Sequence, residues 1–175
     1  MKFHFRKSIK KEIAAHMAVG LPQFEPLDVQ DGLLYRFCHE KGVWFFIKFQ
    51  ISNQSREAFT VELARSPHSC WPETAVLSIP VDIPERGLIR AKPESGVFRF
   101  RIGFLFPPHK DYWWELTPME SLEAIMNRFA IPGAVPDSSD SGSDKPGKMS
   151  SLVRDALDKI CSYAIPYLNR LGKGG

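Results

Sequence analysis

The sequence predicts an α+β fold, in which an antiparallel sheet of four to five strands carries an N-terminal helix and two C-terminal helices, mainly on one face. Three observations lead to this class. Apolar residues near the N terminus recur every three to four positions, which is typical of an amphipathic helix. The middle of the chain alternates apolar and polar residues with no helical stretch between, and two helix-like segments follow it. Because strands and helices do not alternate, we do not expect a parallel sheet.

The first helix is predicted from about Arg6 to Val19. Gly20 and Pro22 then form a helix stop, since glycine suits the position after a helix and proline cannot continue one. The apolar side of this helix consists of Ile9, Ile13, Ala14, Met17 and Ala18.

The strands begin with a β-hairpin from Leu33–Cys38 to Val43–Asn53, and a third strand follows around Phe59–Ala64. Two short proline-flanked runs, Val76–Ile79 and Gly87–Ala91, are edge strands at best. The strongest strand is predicted over Phe98–Phe106. One face of the sheet should bury the apolar row Phe45, Phe49, Phe98, Phe100 and Phe104.

The C-terminal part begins with a helix whose start carries three agreeing signals: Thr117 at the N-cap, Pro118 after it and Glu120 for a capping box. The Ser/Asp/Pro/Gly-rich segment 134–148 is expected to be a mobile loop, because it contains too little apolar surface to offset the entropy of ordering. The last helix should start near Ser151, and Pro166 should kink it near Ser162.

Composition indicates one domain over residues 1–175, since 43% hydrophobic and 25% charged residues are ordinary for a globular protein. We expect no membrane association and a cytoplasmic location, because the sequence shows neither a membrane-length apolar run nor a signal-peptide pattern. The net charge of +3 is too small to indicate a nucleic-acid partner.

No cofactor or metal is expected. The three cysteines, Cys38, Cys70 and Cys161, are odd in number and far apart, which favours reduced, mostly buried thiols over disulfides. Cys38-His39 and His68-x-Cys70 lack the spacing of zinc ligands. The Gly142–Lys148 segment has the glycine and lysine spacing of a phosphate-binding loop, but Met149 stands where such loops need Ser or Thr.

The order of several short motifs resembles that of a family of small bacterial proteins known only as a domain of unknown function, and similar α+β proteins occur among immunity proteins. The resemblance covers about three-quarters of the chain and implies the fold, with no catalytic motif. Its motifs are Phe49-Gln50-Ile51-Ser52, Phe59-Thr60-Val61-Glu62-Leu63, Gly103-Phe104-Leu105, the Trp113-Trp114 pair and Ile165-Pro166-Tyr167-Leu168.

The first functional hypothesis is a non-catalytic protein-binding module of the immunity or regulatory type. Trp44 and Phe46 lie on the strand face opposite the apolar row, and large aromatics beside arginine anchor protein interfaces. If loops cover that face, both residues are core instead. Arg99 and Arg101 are expected to pair there with acids such as Glu62. The predicted partner surface comprises Arg36, Trp44, Phe46, Lys48, Arg99 and Arg101.

The second hypothesis is a small-molecule-binding protein or enzyme. It places a pocket between sheet and helices near His109, Asp111, Tyr112 and Trp113, where a histidine and a carboxylate stand beside aromatic residues. Polar loops before helices often contain such residues, so the alternative is an ordinary loop. No other segment carries a nucleophile motif, since Ser69 beside His68 has no Gly-x-Ser-x-Gly elbow.

Overall fold

The computed structural model describes residues 2–29, 33–39, 42–52, 57–75, 77, 96–116 and 145–173. It confirms the α+β class, with an N-terminal helix, an antiparallel sheet and a C-terminal helix. The helices are α1 (Lys2–Gly20), α2 (Lys145–Lys159) and α3 (Ile165–Lys173), and the strands are β1 (Glu25–Leu27), β2 (Leu33–His39), β3 (Val43–Ile51), β4 (Ala58–Ser66), β5 (Phe98–Arg101) and β6 (Trp114–Glu115).

Within the described residues the sheet has six strands, and β1 to β5 lie side by side in the order of the sequence. Every pairing between these strands is antiparallel, and β6 pairs with the start of β4. The strands β1 and β6, of three and two residues, were not predicted, because elements this short show no periodicity.

One sheet face holds the main core. Tyr35, Ile47, Leu63 and Phe100 lie in register across β2 to β5, and each is at most 4% exposed. Apolar side chains of both helical regions complete this core, which agrees with the prediction that helices pack mainly on one face. The helical contributors include Ile9, Ile13 and Met17 from α1 and Val153, Ala156 and Leu157 from α2.

The strand predicted over Phe98–Phe106 is shorter than expected. Extended structure ends at Arg101, and Ile102–Leu105 forms a 3-10 turn. Gly103 gives the reason, since a Cβ there would lie 2.7 Å from Tyr112 Cβ and would also collide with the Lys110 carbonyl. The close approach of these two backbone segments ends the strand at Arg101. Of the predicted buried row, Phe98 is only partly buried against the main core, and Phe104 is half-buried.

The C-terminal helix begins at Lys145, not near Ser151, so the end of the 134–148 segment is helical. The rest of that segment and the helix predicted from Thr117 lie outside the described residues. Between α2 and α3, Ile160–Ala164 is π-helical, and Pro166 is the second residue of α3. Proline has no N–H for the usual helical bond, so the altered turn lies where the kink was predicted.

Of the two predicted edge runs, only Leu77 is described. It forms an isolated parallel bridge with Arg99 of β5. The run Gly87–Ala91 lies outside the described residues.

Candidate functional site

The candidate site is the sheet face opposite the helices, which we call the arginine face. Its cations are Arg36, Lys48, Arg99 and Arg101. Because side chains alternate along a strand, register brings them into two neighbouring rows across the sheet. One row is Arg36, Phe46, Ala64 and Arg99, and the other is Leu34, Lys48, Glu62 and Arg101.

Glu62 is the buried acid at the centre of this face, with 4% of its surface exposed. Arg99 Nη2 lies 3.0 Å from Glu62 Oε2, and Arg101 Nη2 lies 3.6 Å from Glu62 Oε1. The predicted pairing of both arginines with Glu62 is therefore confirmed. Arg101 also donates to Gln50 Oε1 at 3.1 Å and to Asp111 Oδ1 at 3.3 Å.

At the end of β4 the chain folds back over the arginine face, and we call residues 66–75, which begin with the last residue of β4, the strap. Trp71 is its anchor, with 8% of its surface exposed and its ring edge-on to Phe46 at a centroid distance of 6.0 Å. Together with Leu34 and Ala64 these rings form a second, smaller core. The sheet is therefore covered on both faces at this point.

Arginines of the sheet hold the strap by its backbone. Arg36 Nη1 donates to the Ser69 carbonyl at 2.8 Å, and Arg99 Nη1 donates to the Glu73 carbonyl at 2.9 Å. Arg36 comes from β2 and Arg99 from β5, so the strap is held from both sides of the face.

Each cation of the arginine face also lies over an indole ring, which is a favourable electrostatic contact. The distances from the cationic centre to the ring centroid are 4.8 Å for Arg36 on Trp44, 5.0 Å for Lys48 on Trp71, 5.2 Å for Arg99 on Trp71 and 5.1 Å for Arg101 on Trp113.

The accessible charges of this face are acidic. The side chains of the cations Arg36, Lys48, Arg99 and Arg101 are 26%, 19%, 14% and 15% exposed. Their outer partners Glu25, Glu73 and Asp111 are 55%, 72% and 50% exposed. A ligand that approaches from solvent therefore meets carboxylates before guanidinium groups, an arrangement unsuited to phosphate binding.

The predicted partner surface loses one residue. Phe46 is fully buried because Trp71 covers it, which is the alternative in which a loop covers this face and the residue becomes core. Trp44 and Arg36 are half-buried and stack on each other at the surface. Of the predicted aromatic pair, only Trp44 is accessible to a partner.

The residues of the predicted pocket do not converge on one point. The Tyr112 ring packs edge-on against Trp114 and Phe106, beside the main core. The His109 ring is exposed, and its Nδ1 lies 3.0 Å from the Phe104 carbonyl. Asp111 accepts hydrogen bonds from Arg101 and from Trp113 Nε1. Asp111 and Trp113 therefore belong to the rim of the arginine face.

Sequence reasoning missed the strap and its anchor. Trp71 stands between two prolines, Pro67 and Pro72, in a stretch that was assigned to a loop. A large aromatic in an otherwise polar loop is the signal that was available, because such a ring rarely stays in water.

Within the described part of the chain, no group of three or more His, Cys, Asp or Glu residues is arranged to hold a metal ion. Helices long and apolar enough to cross a membrane are likewise not found among these residues. Cys38, Cys70 and Cys161 are free and exposed, so the prediction of unpaired thiols is confirmed while exposure replaces the expected burial.

More than half of the chain matches a known protein family. Residues 31–130 match the family described as a domain of unknown function (DUF4304). No curated protein and no solved structure matches. The matched range includes the cations of the arginine face and the strap, whereas α1 and the C-terminal helix lie outside it. The chain therefore belongs to the DUF4304 family of domains of unknown function.

Proposed function

We propose that this protein is a non-catalytic protein-binding module, and that its partner docks on the rim of the arginine face around Trp44. The observation that carries the proposal is the Arg36–Trp44 pair. The guanidinium lies 4.8 Å from the ring centroid, and both side chains remain partly accessible. Trp and Arg are the residue types most enriched among binding hot spots.

The pair is held in place before any partner arrives. Arg36 is fixed by Glu25 and by the Ser69 carbonyl, in addition to the stacking on Trp44. Side chains that are already ordered lose less conformational entropy on binding, which leaves more of the contact energy as affinity.

The charge distribution supports a protein partner over a nucleic acid. The cations of this face are already paired with carboxylates, so few positive charges remain for phosphate groups. Within the proposal, the protein is of the immunity or regulatory type and acts in the cytoplasm. The three free thiols support a reducing compartment.

The test is affinity capture from the lysate of the organism that expresses the protein. The amount of partner captured by each variant is compared with the amount captured by the parent protein. Trp44→Ala and Arg36→Ala should each lower the amount of the captured protein at least about tenfold, as expected for hot spots of roughly 2 kcal/mol or more.

Two matched controls lie away from this face. Tyr163→Ala removes a partly exposed aromatic ring, and Arg170→Ala removes a guanidinium stacked 5.5 Å from Tyr167. Both controls should capture the partner as well as the parent does. A partner whose capture is equally sensitive to control and test variants, or insensitive to all four, contradicts the choice of this surface.

A further inference from the structure

The strap occupies the arginine face as a bound peptide would. Its side chains at Pro67, His68, Ser69 and Cys70 are exposed, as are those at Glu73 and Thr74, and Trp71 is its largest buried side chain. Its backbone is held through carbonyl groups by two arginines of the sheet. Such carbonyl contacts do not depend on the strap's own side chains.

Two strap side chains meet specific groups on the sheet. The Trp71 ring fills the site over Phe46, between Lys48 Nζ at 5.0 Å and Arg99 Cζ at 5.2 Å. Glu73 Oε1 lies 3.7 Å from Lys48 Nζ. The strap therefore places an aromatic ring and, two positions later, a carboxylate against this part of the face.

The strap fits this site imperfectly. Trp71 Nε1 is buried and has no hydrogen-bond acceptor among the described residues. A buried donor without an acceptor is unfavourable, so a ligand whose tryptophan N–H meets an acceptor of its own would bind better than the strap does.

We infer that the arginine face is a peptide-binding groove which the strap closes in cis, and that the partner enters it with an extended segment carrying an aromatic residue and, two positions later, Asp or Glu. This inference rests on the proposed function and names its class of partner. Binding in trans requires the strap to leave, so the strap lowers the apparent affinity by the fraction of time for which it occupies the groove.

The experiment uses the strap's own sequence as the probe. A fluorescein-labelled peptide with the sequence of residues 66–75, carrying Cys70→Ser to prevent oxidation, is titrated with the full-length protein and followed by fluorescence anisotropy. The Trp71→Ser protein, whose strap has lost its anchor, should bind the peptide at least about tenfold more tightly than the parent protein.

Matched controls separate specific from general binding. Peptides carrying Trp71→Ala or Glu73→Lys should bind the Trp71→Ser protein at least about fivefold more weakly than the probe peptide, since each loses one recognised group. Adding Lys48→Met to the Trp71→Ser protein should remove the effect of the Glu73→Lys peptide change. If Trp71→Ser does not fold, Trp71→Phe keeps a ring in the groove and should bind the peptide with an affinity between those of parent and Trp71→Ser.

The outcomes are distinct. The groove proposal is wrong if a folded Trp71→Ser or Trp71→Phe protein does not bind the peptide. It is also wrong if the peptides with Trp71→Ala and Glu73→Lys bind as tightly as the probe peptide. If the groove fails while Trp44→Ala still abolishes partner capture, the proposed function stands without this partner class. If the peptide binds as expected but Trp44→Ala and Arg36→Ala do not change partner capture, the groove proposal is supported and the proposed rim surface is wrong.

Discussion

Arg99 and Glu62 form an ion pair beneath the strap, with 3.0 Å between Arg99 Nη2 and Glu62 Oε2. Their side chains are 14% and 5% exposed, so both charges are largely removed from water. Arg101 approaches the second oxygen of the same carboxylate. One acid thus faces two guanidinium groups. Removing this buried carboxylate should lower the free energy of unfolding more than removing an acid at the surface.

Glu62→Gln should lower the free energy of unfolding by roughly 3 kcal/mol, because it leaves two adjacent guanidinium groups without their shared counter-charge. Urea unfolding measures the change. Glu73→Gln is the matched control, since Glu73 is 72% exposed and should contribute below about 1 kcal/mol. Equal losses in the two variants would contradict the central role of Glu62.

Gly103→Ala should destabilise the fold by at least roughly 2 kcal/mol, because the added methyl group would force apart two backbone segments. The nearest atoms include Tyr112 N at 2.9 Å. Gly42→Ala is the control: its φ of 73° is unfavourable for alanine, but no atom lies within 4 Å of the new methyl group. It should cost only about 1 kcal/mol. Thermal melting measures the stability of both variants. A smaller loss of stability at Gly103 than at Gly42 would show that the backbone segments at Gly103 and Tyr112 separate at little cost.

The neighbouring tryptophans Trp113 and Trp114 should respond differently to the same change. Trp114 is 2% exposed, stacks on Phe59 and donates from Nε1 to Asp155 Oδ2 at 2.8 Å. Trp114→Phe should therefore cost roughly 1.5–3 kcal/mol, the range for a hydrogen bond to a charged group. Trp113 donates to the exposed Asp111, so Trp113→Phe should cost below about 1 kcal/mol. Chemical unfolding measures both losses of stability. A larger loss for Trp113→Phe than for Trp114→Phe would contradict the assignment of Trp114 as the structurally important tryptophan.

Burial of Tyr35 raises the pKa of its hydroxyl to about 12 from the ordinary 10.0. The folded protein therefore keeps this proton at a pH where the unfolded chain releases it. The resulting stability is fully present below pH 10.0 and is lost as pH rises toward 12. Between pH 9 and pH 11 the parent should lose about 1 kcal/mol more than Tyr35→Phe, which has no such proton. Urea unfolding at both pH values measures this difference, and identical pH profiles would contradict the raised pKa.

The predictable part of the fold is the part determined by local periodicity. Alternation along β3 and β4 predicted both the buried row and the pairing of Glu62 with Arg99, because a period of two assigns side chains to faces without knowledge of the rest. The same alternation failed after Arg101, where contact between Gly103 and the Lys110–Tyr112 backbone ends the strand. That contact depends on two segments meeting in space, which a local pattern does not encode.

The candidate site shows the same division. The cations were assigned to the correct face, but the burial of Phe46 depends on Trp71, which arrives from a later loop. Likewise Asp111 and Trp113 were assigned to a pocket, but both contact Arg101 and lie at the rim of the arginine face. Tertiary contacts between distant segments decide these positions, and periodicity carries no information about them.

The order of strands in the sheet bears on how the chain folds. From β1 to β4 each strand pairs with its successor after a short connection, so these pairings close small loops at low entropic cost. β4 ends at Ser66 and β5 begins at Phe98, so the pairing of these two strands closes a much longer loop. We therefore expect the β1–β4 meander to form early and β5 to dock late, which mutational kinetics at Ile47 and Phe100 would report as high and low φ-values. Late docking of β5 also means that Arg99 reaches Glu62 and the strap last, so the arginine face is completed only after the meander has formed.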